Sequence, residues 1–156
     1  MNPGVLFGTW HVKNWLFFEN FKETSDEHAE RLKSYRKCLK SKIIIDSNGI
    51  KTSEINSCDL DICQIDLTKN TKYLNKKIIP DNDYTIKGQG SEMIDSNIIG
   101  KGFVKYLDSN YSKSELQIID AGCTQSYGNF TMKICIVSKN KIGLFLGEEL
   151  IILDRD

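Results

Sequence analysis

Short apolar segments separated by turn residues recur along this chain, and their spacing limits the possible folds more than any other feature of the sequence. The alternation is regular at 130–136, where every second residue is apolar and would lie on one face of a strand. Asn48-Gly49, a strong signal for a hairpin turn, separates the β-branched segment 42–46 from a return strand at 50–55. About eight to ten short strands at this spacing favour an antiparallel barrel or sandwich.

One helix is expected in the N-terminal half of the chain. Thr24 and Glu27 have the three-residue spacing of a capping box, and apolar residues recur at helical spacing from Ala29 onward. The helix is predicted to have about two to three turns and to end before Leu39. Further strands are predicted at 103–107, at 115–119, and in a closing hairpin formed by 142–146 and 150–153.

Length and charge set broad limits on the class of protein. The 156 residues fit a single domain over 1–156, and 21 Lys and Arg balance 21 Asp and Glu. This balance argues against a strongly basic nucleic-acid binder, and the charges are spread without a block of one sign. We therefore expect an evenly solvated exterior and no nucleic-acid partner. No run of about 20 apolar residues is present, so no membrane-spanning helix is expected.

Five cysteines leave two redox states open. They could form two disulfides and leave one spare thiol in an oxidising compartment, or they could all be reduced and mostly buried. The first residues, 1–4, have no basic region followed by an apolar stretch, so no signal peptide is predicted in the sequence as it stands. The cysteines are Cys38, Cys58, Cys63, Cys123 and Cys135.

The sequence contains no recognisable set of catalytic residues. Only His11 and His28 could serve as an imidazole base, and no Gly-x-Ser-x-Gly elbow is present. The cysteine and histidine spacings do not match a zinc site, and the paired acids at 59–61 and 81–83 are more typical of a solvated face or a turn. We therefore expect a non-enzymatic protein without a metal ion or cofactor.

Both ends of the chain carry residues typical of a known family. Gly8-Thr9-Trp10 resembles the Gly-x-Trp signature in the first strand of lipocalins and the wider calycin superfamily. Arg155 matches the basic residue that the last strand of those proteins places across the Trp, where a cation can lie over the indole face. The order of elements is similar to that of small bacterial lipocalin-like proteins. The resemblance implies a single antiparallel β-barrel with one short helix and a floor formed by Gly8, Trp10 and Arg155.

The same resemblance implies a protein that binds a small apolar ligand inside the barrel. Many proteins of this kind are exported, so a periplasmic or extracellular location is expected, with a cytoplasmic one left open. The cavity would be lined by inward-facing apolar side chains, namely Val12, Ile62, Ile86, Met132 and Ile134.

The alternative is a barrel with a solid core whose loops bind a protein, as in a bacterial inhibitor or a toxin-immunity protein. Two stretches could form that surface: the large apolar residues at the end of the first strand and the polar, aromatic loop at 124–129. The candidate partner surface comprises Trp15, Phe17, Phe18, Tyr127 and Asn129. The oligomeric state is left open.

Overall fold

A computed structural model describes residues 3–17, 25–39, 41–47, 49–52, 72–79, 98–125, 128–146 and 149–155. A 3-10 helix over Pro3–Leu6 precedes the first strand. In chain order the other elements are β1 (Gly8–Phe17), α1 (Ser25–Cys38), β2 (Lys42–Asp46), β3 (Gly49–Thr52), β4 (Lys72–Ile79), β5 (Ile98–Gly100), α2 (Lys101–Leu107), β6 (Glu115–Gln125), β7 (Gly128–Ser138), β8 (Lys141–Leu146) and β9 (Glu149–Asp154).

The nine described strands form one sheet in the order β3-β2-β1-β9-β8-β7-β6-β4-β5. Every neighbouring pair is antiparallel except β4 and β5, which run parallel. The expectation of a mainly β, largely antiparallel fold is therefore confirmed. Among the described residues β3 and β5 are the outermost strands and the sheet is not closed into a barrel, so the barrel stays a prediction.

Two buried apolar clusters lie on opposite faces of this sheet. The first, the Trp10 cluster, comprises Leu6, Trp10, Val12, Ile43, Ile45, Ile50, Ile119, Ile134, Ile142, Leu144, Ile151 and Leu153. The second, the α2 cluster, comprises Ile99, Phe103, Val104, Leu107, Leu116, Ile118, Cys135, Val137, Phe145, Leu150 and Ile152. Consecutive residues of β9 alternate between the two clusters, as the period of two in a strand requires.

The second cluster corrects the expectation of an evenly solvated exterior. Over β6 to β9 both faces of the sheet carry buried apolar side chains, and α2 covers one of them. The uninterrupted apolar run 150–153 is the sequence counterpart of this arrangement, because a strand buried on both faces does not alternate with polar residues.

The prediction of a strand at 103–107 is wrong, because this segment forms most of the helix α2. Phe103, Val104 and Leu107 lie on one helical face and are buried. The Phe103 ring meets Phe145 of β8 edge to face, with 6.5 Å between ring centroids. Gly143 permits this close approach: a Cβ there would lie 2.6 Å from Cδ2 of Leu107, so any larger residue would push the helix away from the sheet.

The predicted helix and hairpin near the N-terminus are present, but the helix has 14 residues, about four turns, and is longer than the two to three turns predicted. The helix α1 begins at Ser25 and ends at Cys38, with acidic residues in its first turn and basic residues in its last, as the helix dipole favours. The hairpin pairs Asp46 with Gly49, so Gly49 begins β3 rather than lying inside the turn. Its φ of 137° requires a glycine at this position.

Candidate functional site

One end of the Trp10 cluster is built by the 3-10 helix and the first residues of β1. Gly8 has a φ of 134°, a conformation that L side chains rarely adopt, and it turns the chain from the 3-10 helix into the strand. Trp10 is completely buried, and its Nε1 donates a hydrogen bond of 2.8 Å to the carbonyl of Leu6. The indole is thus fixed by the helix that precedes it and fills this end of the cluster.

Arg155 lies across the indole of Trp10 and joins it to two other segments. Its guanidinium carbon is 4.1 Å from the ring centroid, within the range of a cation–π contact. Nη1 donates to the carbonyl of Phe7 at 2.9 Å, and Nη2 donates to the carbonyl of Val5 at 2.6 Å. Nε and Nη2 also donate to the carbonyl of Lys139 in the β7–β8 turn, at 3.1 and 2.7 Å. The structure therefore brings together Gly8, Trp10 and Arg155, the three residues predicted to form the floor.

A bulge in β1 determines which of its residues face the Trp10 cluster. Val12 pairs with Leu153, but the register shifts, and Trp15 then pairs with Ile151. Leu153 and Ile151 both belong to the Trp10 cluster, so Val12 and Trp15 share its face although they are three residues apart. Trp15 is half-buried against this cluster. Its role in a partner surface stays a prediction.

The predicted cavity-lining residues are described only in part. Val12 and Ile134 are buried in the Trp10 cluster, 2% and 0% exposed, so they lie on the predicted face and are packed by neighbouring side chains. Met132 pairs with Ala121 within the β6–β7 ladder. Ile62 and Ile86 lie outside the described residues.

The predicted partner surface is likewise only partly described. Phe17 pairs with Glu149 at the end of β1, and Asn129 pairs with Thr124 near the start of β7. The stretch 124–129 was expected to be a loop, but its described residues, 124, 125, 128 and 129, belong to β6 and β7. Phe18 and Tyr127 lie outside the described residues.

Sequence reasoning missed Tyr73, which packs against the Trp10 cluster from β4. Its hydroxyl oxygen is buried and has no hydrogen-bond partner, and burial raises the pKa of the phenol. Buried hydroxyls normally have a partner, so the Tyr73 hydroxyl is an exception on the face of the Trp10 cluster. The signal was hidden because three lysines interrupt the alternation of 72–79.

The described chain is a mainly β protein whose sheet carries the apolar Trp10 cluster on one face. The contact between Trp10 and Arg155 covers one end of this cluster. No family model, no curated protein and no solved structure matches the chain. The resemblance to lipocalins therefore rests on the residues at the two chain ends. No described helix is long and apolar enough to cross a membrane. Within the described ranges, no group of three His, Cys, Asp or Glu side chains could hold a metal ion.

Proposed function

We propose that this chain is a lipocalin-like binding protein that holds a small apolar ligand against the Trp10 cluster. The observation that carries the proposal is the floor formed by Trp10 and Arg155. A pocket inside a barrel needs one closed end. Here the buried indole of Trp10, the guanidinium of Arg155 and the 3-10 helix are held together by hydrogen bonds and a cation–π contact.

The strand order supports a barrel around this face. The first strand, β1, pairs with the last strand, β9, which is the closure that an up-and-down barrel requires between its chain ends. The unpaired edges then fall at β3 and β5, next to segments outside the described residues. Tyr73 adds one unpartnered hydroxyl beside the apolar Trp10 cluster, and a few polar groups on an apolar wall are typical of ligand pockets.

The test uses N-phenyl-1-naphthylamine, a neutral apolar probe whose fluorescence rises in apolar surroundings. We expect saturable binding of one probe per chain, with amide chemical-shift changes concentrated on β1, β2 and β9. The matched control is Leu74→Ser, because Leu74 is exposed and pairs with Ile118, on the opposite face of the sheet. Absence of saturable binding, or binding that Leu74→Ser abolishes, would refute the proposal.

A second candidate is the inhibitor or immunity-protein function, in which the loops bind a partner protein. The observation that favours it is the burial of Val12 and Ile134, 2% and 0% exposed, because side chains packed among their neighbours are typical of a solid core. Leu74 and Tyr106 are large apolar side chains that remain exposed, 37% and 47%, and could contact a partner. Native mass spectrometry of protein isolated from its own host separates the candidates: a co-purifying small molecule supports the first and a co-purifying protein the second.

An exported, disulfide-containing form of the protein belongs to the same proposal. What supports it is the number of cysteines, five in 156 residues, of which Cys38 is buried. Cys135 is a buried free thiol and suits the role of the spare cysteine. We expect one of the five thiols to react in denaturant when the protein is prepared under oxidising conditions without reductant. Reaction of all five would refute this part of the proposal.

A further inference from the structure

A cleft of about 520 Å³ opens on the α2 side of the sheet, away from the Trp10–Arg155 floor. It lies between α2, the segment 108–114 that follows it, and the end of β4. Its volume is within the range of about 300–1,000 Å³ that is typical of small-molecule sites. None of the proposed ligand-binding residues of the Trp10 cluster lines it.

The walls of this cleft are held in place by hydrogen bonds. The backbone N–H of Ile78 donates to the carbonyl of Ser114 at 2.8 Å, which ties the segment to β4. The backbone N–H of Tyr111 donates to the carbonyl of Asp108 at 3.1 Å, and the Tyr111 hydroxyl donates to the carbonyl of Glu115. The cleft is therefore a preformed feature of the fold, and a ligand would not have to order its walls.

The charged side chains that line this cleft are all basic among the described residues. Lys101, Lys105 and Lys113 line it, and of the described residues no Asp or Glu does. Lys101 and Lys105 are four residues apart on α2, a spacing at which like charges repel. In the described part of the chain none of the three ammonium groups has an ion-pair partner. This concentration of positive charge lies in a chain whose total charges balance, 21 against 21.

The neighbouring cleft, of about 440 Å³, differs in the charge of the side chains that line it. It shares the wall formed by Tyr111, Lys113 and Ser114, but Glu115 also lines it and supplies a carboxylate beside the lysines. A mixed charge of this kind does not select an anion.

The rest of the larger cleft is apolar or carries hydroxyl groups. Ile78, Ile79 and Val104 provide aliphatic surface, and serine hydroxyls of the segment 108–114 can donate further hydrogen bonds. We propose that this cleft binds a small organic anion, with its apolar body on the aliphatic surface and its sulfonate, phosphate or carboxylate group facing the three lysines. This site is independent of the ligand proposed for the Trp10 cluster.

The test compares two probes that share one aromatic skeleton. 1-Anilinonaphthalene-8-sulfonate carries the anionic group, and N-phenyl-1-naphthylamine lacks it. We expect the triple variant Lys101→Gln, Lys105→Gln, Lys113→Gln to raise the Kd of the sulfonate at least about tenfold, equivalent to about 1.4 kcal/mol, and to leave binding of the neutral probe unchanged. Raising the salt concentration from about 0.05 to about 0.5 M should weaken binding of the sulfonate alone, because salt screens charge.

The control is a second triple variant, Lys13→Gln, Lys33→Gln, Lys37→Gln. These lysines are exposed on β1 and α1, so the variant removes the same total charge at positions that do not line the cleft. All six positions are exposed, and the substitutions should leave far-UV circular dichroism unchanged. Equal weakening in both triple variants, no binding of the sulfonate to the wild type, or amide shifts outside 101–114 and β4 would each overturn the proposal. If the wild type binds the sulfonate but does not bind the neutral probe, the result would count against the proposed function alone.

Discussion

Replacing Arg155 with alanine tests the floor directly, because this side chain connects the N-terminal turn, the β7–β8 turn and the last strand. The contacts of Arg155 differ in how much they contribute to the free energy of unfolding. The bond to the Phe7 carbonyl is partly buried, whereas the bonds to the carbonyls of Val5 and Lys139 are exposed, so water can replace the latter once the guanidinium is gone.

The expected loss follows from the contacts that water cannot replace. A hydrogen bond from a charged donor contributes about 1.5–3 kcal/mol, and a cation–π contact about 0.5–2 kcal/mol. We therefore expect Arg155→Ala to lower the free energy of unfolding by about 2–5 kcal/mol. Arg155→Lys should lose less, because an ammonium group can remain over Trp10 while the planar fork that reaches two carbonyls is lost.

The assay is urea denaturation followed by far-UV circular dichroism, since the fluorescence of Trp10 would itself change with the mutation. Arg36→Ala, at an exposed position on α1, is the matched control and should change stability by less than about 0.5 kcal/mol. A double-mutant cycle of Arg155→Ala with Trp10→Leu should give a coupling energy of about 0.5–2 kcal/mol. A loss below about 0.5 kcal/mol for Arg155→Ala, or no coupling to Trp10, would refute the role assigned to the floor.

Four further predictions use the same denaturation assay or a thiol reagent. Gly8→Ala should cost about 1–3 kcal/mol, because its positive φ strains any side chain, and a neutral result would contradict this. Gly143→Ala should also cost about 1–3 kcal/mol by clashing with Leu107, and the cost should fall in a Leu107→Ala background. Tyr73→Phe should leave stability unchanged or raise it by up to about 1 kcal/mol, since it removes an unpartnered hydroxyl; a loss of that size would indicate a hidden partner. Burial raises the pKa of the Cys135 thiol from 9.0 to about 12, so the native thiol should resist Ellman's reagent at mildly alkaline pH. Its contribution to stability should be complete below pH 9 and decline as the pH rises from 9 towards 12, because the unfolded thiol ionises first; a native reaction rate equal to the unfolded one would contradict this.

Local signals in the sequence were sufficient for the elements near the N-terminus. The predicted strand 42–46 has the bounds of β2, and the predicted end of the helix before Leu39 agrees with α1. In each case neighbouring residues supply the information. For the strand it is the β-branched side chains, and for the helix it is the capping-box spacing of Thr24 and Glu27 with apolar residues at helical spacing from Ala29. The residues of the floor could be proposed because Gly8 and Trp10 resemble the Gly-x-Trp signature of lipocalins. Arg155 matches the basic residue that those proteins carry in the last strand.

The segment 103–107 could not be assigned from local signals alone. Phe103, Val104 and Leu107 fit a buried strand or one face of a short helix about equally, and a run of this length does not separate the two. The deciding feature is Gly143, about 40 residues away, which leaves space for Leu107 against the sheet. The position of α2 therefore depends on a tertiary contact that no local window of the sequence contains.

The α2 cluster lowers the stability that the fold would lose if the Trp10 cluster made room for a ligand. A barrel with a single internal core loses packing contacts when that core is opened to a ligand. Here β6 to β9 are also buried on their other face, where α2 contributes Phe103 and Leu107. Part of the stability of these strands is thus independent of the Trp10 cluster, so loosening the face that would receive the ligand need not unfold them. The helix α2 also supplies Lys101 and Lys105, which line the larger cleft. One element therefore both packs against the sheet and contributes to the proposed anion site.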